Sequence, residues 1–116
     1  HKYIQSINSK YSANIISDPE IDAVTNMYSW ISQVSLCDCV VSVANTTVHG
    51  SGGLCIPTLC LVGQDYDWRW VRPELGIRNS YWYGSVEAHF KSDASDWTPD
   101  LLYVRDWTRR MLHLGD

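Results

Sequence analysis

Two short apolar runs rich in β-branched residues, Cys39–Val43 and Thr58–Val62, enclose a stretch of capping and small residues, Asn45–Gly53. Runs of this kind read as strands buried on both faces, the signature of a parallel sheet covered by helices. Parallel neighbours cannot be joined by a tight turn and need a crossover. Asn45, Thr46 and Thr47 are residue types that start helices. Val48–Leu54 suits a short helix, and Gly50, Ser51, Gly52 and Gly53 would let it lie close to the sheet; Pro57 stops it before the second strand. Strand, helix, strand is a βαβ unit, so the chain is predicted to be α/β.

The flanking sequence extends this reading. Tyr3–Ile7 is a β-prone stretch, and Ile15–Ile16 reads as a second short strand before the Asp18–Pro19 turn. Val24, Met27, Tyr28, Ile31 and Val34 follow the spacing of a helix with one buried face, over Val24–Leu36. Beyond Gly63 the aromatic segments Asp65–Trp70 and Tyr81–Tyr83 surround Pro73 and Gly76. Pro99 fits the first turn of a last helix, capped by Asp96 or Thr98, with Leu101, Val104, Thr108, Met111 and Leu112 facing inward. The order suits a compact, Rossmann-like, three-layer α/β domain over 1–116 with a short, mostly parallel sheet. Ligand is expected at the carboxyl ends of its strands.

Composition narrows the classes of partner. The net charge is −4, and among nine Lys and Arg only Arg109 and Arg110 are adjacent. Nucleic acid, which demands clustered positive charge, is not expected as a partner. No apolar run approaches the roughly 20 residues of a membrane-spanning helix. Cys37-x-Cys39 and the Cys55–Cys60 spacing do not match a paired zinc motif. Cys39 and Cys60 lie inside the apolar runs, so the cysteines are read as reduced packing residues, which points to a cytoplasmic protein. A chain opening on His1, with no signal-peptide core, is read as part of a longer polypeptide.

Two constellations are candidates for chemistry. In Val43–Gly50 a helix opens directly after a buried strand, the natural place to receive a phosphate: unpaired N–H groups point outward and the helix dipole favours negative charge. Asn45, Thr46, Thr47, His49 and Gly50 are the residues concerned. An imidazole at His49 suits hydrogen bonding to an anion better than proton transfer. The competing reading makes Asn45 or Thr46 a simple cap and the glycines a packing device. The second constellation is Asp67-Trp68-Arg69-Trp70, in which Arg69 could face a diphosphate or Asp67 a sugar hydroxyl; equally, the tryptophans could fill a loop floor. Asp65-Tyr66-Asp67 has the letters of a metal motif without its context, and Glu87, Asp93 and Asp106 read as solvated surface.

The segment Val41–Gly63, V-S-V-A-N-T-T-V-H-G-S-G-G-L-C-I-P-T-L-C-L-V-G, resembles a signature of heptosyltransferase-like glycosyltransferases, including tetratricopeptide-linked relatives. Asp67–Trp70, Ser80–Tyr83 and Asp96–Trp97 match further stretches common in that family, as does Ile7–Tyr11 more weakly. The resemblance implies the C-terminal half of a GT-B fold, which holds a nucleotide-diphosphate sugar without a metal or other cofactor. It places Asn45, Thr46, Thr47 and His49 at the donor diphosphate, and Arg69 and Trp70 in a loop near the cleft. It also implies an N-terminal acceptor domain, and in some relatives a helical repeat region, in the same polypeptide. Acceptor and general base would come from that other domain, so the piece alone is expected to be inactive, and no catalytic residue is assigned. The sequence departs from the family at Ala44, where many members have Asp, at Gly50–Ser51, where they have Leu-Ala, and at Cys55, where they have Gly. Those departures keep open an alternative: a degenerate Rossmann-like module used for binding or assembly without glycosyl transfer.

Overall fold

The computed structural model describes residues 2–63, 70, 82–92 and 95–114. The chain divides into two compact units, His1–Trp30 and Ile31–Asp116.

In the first unit the β-prone start is a helix, α1 (Lys2–Tyr11). The overriding signal is the placement of Tyr3, Ile4, Ile7 and Tyr11, which recur with helical period and leave Ile4 and Ile7 half-buried. Ile15 and Ile16 form no strand. Instead the Asn8 side-chain amide pairs with the Ile15 backbone in both directions, donating from Nδ2 to the carbonyl (2.9 Å) and accepting at Oδ1 from the N–H (2.8 Å). That amide satisfies the backbone groups a neighbouring strand would otherwise have taken. Asp18 and Asp22 close turns onto Glu20 N and Val24 N, each at 2.9 Å. Hydrogen bonds from Val24 N–H and the Thr25 side chain hold the Asp22 carboxyl below its usual range.

The next helix, α2 (Met27–Ser35), begins later than its apolar spacing suggested, because Asn26 caps it by accepting from Ser29 N (3.1 Å). Val24 is left 92% exposed, outside the helix.

The second unit holds all the described strands. β1 (Val40–Val43), α3 (Thr46–Gly53) and β2 (Thr58–Val62) form the βαβ unit, followed by β3 (Val86–Phe90) and α4 (Thr98–Met111). Among the described residues the sheet is three-stranded, all parallel, in the order β1-β2-β3. This is an α/β architecture with a short, open, parallel sheet. β3 was not foreseen: Val86-Glu87-Ala88-His89-Phe90 alternates polar with apolar and resembles an exposed ribbon, yet one face packs on α3 residues and the other meets α4.

The pleat assigns the two faces. Val86 and Ala88 join Val48 of α3, Cys60 and Val62 in the buried cluster, with Trp70 alongside and Tyr83 and Phe90 packed against it. Glu87 and His89 point the other way, where Tyr103 and Asp100 of α4 meet them. α3 and α4 therefore cover opposite faces.

The phase of α4 differs from the expected one. Asp100 and Trp107 are its buried residues, whereas Leu101, Met111 and Leu112 are exposed and Val104 and Thr108 half-buried. The largest apolar side chain and a hydrogen-bonded carboxylate set the rotation; the leucines do not. At its start Asp96 Oδ1 accepts from Thr98 N (2.9 Å) and Thr98 Oγ1 (2.8 Å), and Pro99 follows in the first turn.

Cys55 ends α3. Its φ of 60° lies in the left-handed region, and the bonds Ile56 N to Ser51 O and Cys55 N to Gly52 O (both 3.0 Å) complete a Schellman motif. A residue with a Cβ is disfavoured there. Cys55→Gly is expected to raise unfolding free energy by on the order of 1 kcal/mol in urea denaturation; no gain would mean that the strain is relieved elsewhere.

The four cysteines are free, with Cys60 buried, Cys39 half-buried and Cys37 and Cys55 exposed. Burial pushes the Cys60 thiol from 9.0 up to about 12, and burial beside Asp38 and Cys37 raises Cys39. Because the folded Cys60 holds its proton more tightly than the unfolded one, its contribution to stability is full below pH 9.0 and lost as pH climbs toward about 12. Iodoacetamide near pH 8 should alkylate Cys37 and Cys55 first and reach Cys60 only after unfolding, read by mass spectrometry of the peptides.

Candidate functional site

β1 delivers the chain to α3 at the carboxyl end of the sheet, through Ala44 and Asn45. Asn45 is the N-cap in an extended conformation (φ −153°, ψ −171°), and its Oδ1 accepts from Thr47 N (3.0 Å). Ser42 Oγ lies 3.1 Å from the same oxygen and 2.9 Å from Val43 O. The cap thus satisfies one of the backbone donors that an anion would use. Thr46 is exposed and Thr47 half-buried.

His49, one turn beyond the cap, is half-buried and held by aromatic neighbours. Its Nδ1 lies 3.0 Å from Tyr83 Oη, and the two rings meet edge to face at 5.7 Å. Trp70 lies 6.3 Å away, ring to ring. Trp70 itself is only 5% exposed and belongs to the core, so what it offers the site is a wall behind the imidazole. Arg69, Asp67, Trp68 and Tyr81 lie outside the described residues, as do Asp65 and Tyr66.

The small residues of α3 have individual tasks. A Cβ on Gly52 would fall 2.6 Å from Tyr83 Cγ, so the Tyr83 ring sits directly over that glycine. Ser51 is buried; its hydroxyl reaches Val48 O (3.3 Å), and Thr58 Oγ1 lies 2.8 Å from both Ser51 Oγ and Ile56 O. The Ser51 hydroxyl thereby ties α3 to the first residue of β2. Gly50 is half-buried within the helix and its carbonyl accepts from Leu54 N (3.1 Å), whereas the Cβ position of Gly53 looks into open space. The packing reading of the glycine stretch therefore holds at Gly52.

A second polar cluster, unforeseen in the sequence, occupies the other face of the sheet. His89 Nε2 bonds Asp100 Oδ1 (2.8 Å), an oxygen that also accepts from Ser92 N (3.2 Å) and Ser92 Oγ (3.3 Å). The Tyr103 ring stacks on His89 at 4.3 Å and its hydroxyl donates to Glu87 Oε2. Glu87 is accordingly a half-buried, hydrogen-bonded carboxylate, not the solvated charge expected, while Asp106 is exposed beside Arg105 (3.0 Å) as its sequence suggested. Lys91 Nζ lies 4.3 Å over the Trp97 ring. Spacing alone gave no hint of this cluster, because its members come from β3, α4 and the connection between them.

A cleft of about 260 Å³ is lined by Pro57, Gly84, Ser85, Glu87, Trp107 and Met111. Pro57 and Ser85 directly precede β2 and β3, so the cleft lies at the amino ends of these strands, away from the α3 cap. Among the described residues, no three His, Cys, Asp or Glu side chains gather as metal ligands, and no helix is long and apolar enough to cross a membrane. Comparison of the chain with protein-family models, with curated proteins and with solved structures found no match.

Gly52→Ala tests the tie between helix and site. The added methyl must displace the Tyr83 ring, so a loss of about 1–3 kcal/mol is expected. The His49 ring resonances should shift with it in NMR spectra. Unchanged stability and unchanged His49 signals would show that Tyr83 does not rest on this glycine.

Proposed function

We propose that this chain is the donor-binding half of a metal-independent GT-B glycosyltransferase, of the heptosyltransferase-like kind, acting on a nucleotide-diphosphate sugar. The observation that carries the proposal is the capped start of α3 directly after a strand of an all-parallel sheet, with His49 one turn on. Ligands of open α/β sheets bind outside the carboxyl ends of the strands, and diphosphates favour helix N-termini there. The reading draws its specificity from the sequence resemblance.

In this role the α3 dipole and the amides of its first turn stabilise the diphosphate as it leaves the sugar. Thr46 and Thr47 supply hydroxyl donors. When Tyr83 donates to His49 Nδ1, the ring proton resides on Nε2, which then donates to a phosphate oxygen. Gly50, Arg69 and Trp70 complete the proposed nucleotide-sugar set, Trp70 as the buried support of His49. Acceptor, general base and cleft come from an N-terminal domain, with or without a helical repeat region, in one cytoplasmic polypeptide. Without that domain no acceptor is oriented, and this half alone transfers no sugar.

A second reading, a degenerate module used for binding or assembly, is favoured by two particular contacts. Asn45 spends its oxygen on Thr47 N–H, and Gly52 is filled by Tyr83, so both features are explained by packing alone.

A thermal-shift and ligand-observed NMR screen against ADP, GDP, UDP and CMP separates the two. Under the donor reading one nucleotide binds selectively, and Asn45→Ala/His49→Ala abolishes the binding. The double variant should remain folded at a cost of about 1 kcal/mol for the lost cap. Silence toward all four nucleotides from folded protein, in the presence of the partner domain, would transfer the assignment to the second reading.

A further inference from the structure

We propose that His89, oriented by the buried Asp100 carboxylate, is a proton-accepting position that takes the proton of a ligand hydroxyl through Nδ1. The site is separate from the α3 cap and does not depend on the donor-binding reading. Three observations carry it.

The first is position. His89 stands one residue before the carboxyl end of β3, in the row formed by Val43 of β1 and Leu61 of β2. That end is where open parallel sheets receive ligands. The side chain faces α4, so the sheet lies between it and the face that carries α3.

The second is the fixed imidazole. Nε2 is engaged by Asp100 Oδ1 at 2.8 Å, and the ring is clamped by Tyr103, with an interplanar angle of 18°. An ionised carboxylate only accepts, so the hydrogen in this contact belongs to Nε2, leaving Nδ1 as the nitrogen with a lone pair. The side chain keeps 19% of its exposure, and among the described residues no group bonds Nδ1. A histidine with one nitrogen on a carboxylate and the other unbonded has the arrangement of an oriented base.

The third is the state of Asp100. It is 1% exposed, and its Oδ2 is buried with no hydrogen-bond partner. Such an atom costs stability of itself and calls for an explanation. All three donors crowd Oδ1, and the imidazole is the one ionisable group among them. Of the cations nearby, the Lys91 Nζ lies 4.3 Å over the Trp97 ring and the Arg110 guanidinium 5.9 Å from the Tyr103 ring centre.

The step balances without another reactant. The ligand O–H bond breaks with its electron pair and a negative charge left on the ligand oxygen. An N–H bond forms at Nδ1 with the lone pair of that nitrogen, and the proton at Nε2 stays on the Asp100 contact, whose carboxylate faces the positive ring. A clip that merely closed the β3–α4 connection would use the same bonds and fix the same tautomer but would not need a reactive Nδ1.

Two measurements on the whole chain decide. Long-range proton–nitrogen NMR should show neutral His89 as the Nε2–H tautomer. Diethyl pyrocarbonate, followed by mass spectrometry, should modify His89 at least as fast as the exposed His113. In that reaction Nδ1 forms a bond to the carbonyl carbon, and the expelled monoethyl carbonate takes the ring proton and falls to ethanol and carbon dioxide. Asp100→Asn, folded by circular dichroism, should slow His89 several-fold and leave His113 unchanged. An Nδ1–H tautomer overturns the proposal, as does modification slower than at His113, or a rate indifferent to Asp100→Asn. If Asp100→Asn does not fold, the wild-type tautomer and the His89-to-His113 rate ratio decide alone.

Discussion

The close approach of α3 to the sheet, with Val48 fully buried against β2 and β3 side chains, sets where each candidate residue of the α3 site can go. A helix of eight residues has only one side to bury, and here that side carries Val48, Ser51 and Gly52. Small residues let the helix axis come near, and the Ser51 hydroxyl finds Thr58 within hydrogen-bonding distance, so these two buried hydroxyls are both satisfied. The same approach presents Asn45 at the carboxyl end of β1 and turns His49 toward Tyr83 and Trp70. Cap, imidazole and aromatic wall are consequences of one packing decision.

The two faces of the sheet are stabilised by different physics. On the α3 side an apolar cluster of Cys60, Val62, Val86 and Ala88 dominates, beside the buried Ser51–Thr58 hydroxyl contact. On the α4 side, buried or half-buried polar groups meet: Asp100, His89, Glu87 and Tyr103. In a low-dielectric setting a satisfied hydrogen bond is stronger and an unsatisfied group costlier than in water. The unpaired oxygen of Asp100 is the exception on that face among the described residues. The chain thus presents two histidines at one end of the sheet in different electrostatic settings, one beside a helix N-terminus and one beside a buried carboxylate.

The departures from the resembled signature acquire particular physical meanings. Ser51, in place of Ala, makes the buried link to Thr58. Cys55, in place of Gly, holds a left-handed conformation that the helix end requires whatever residue occupies it. Ala44 is exposed at the carboxyl end of β1, where an Asp would have added negative charge close to the α3 start. The Ser51 and Cys55 departures therefore bear on stability, whereas Ala44 and Gly50 bear on the proposed anion site.

Local pattern by itself determined the βαβ unit. β2 spans Thr58–Val62 as read, β1 and α3 start within two residues of the reading, and the capping role of Asn45 was visible in its residue type. These features are local: a continuous apolar run has few alternatives, and a cap acts within one turn. Two further local signals competed with propensity: the helical spacing of Tyr3, Ile4, Ile7 and Tyr11 prevailed in α1, and the Asn26 cap set the start of α2. Tertiary structure alone decided the rest: the phase of α4 followed Trp107 and the bonds of Asp100 in preference to its leucines. The pairing of His49 with Tyr83, across 34 positions, and of His89 with Asp100, across 11, left no periodic trace. A hydrogen bond between distant residues depends on where two elements are brought together, and that is a property of the packed sheet, absent from any window of sequence.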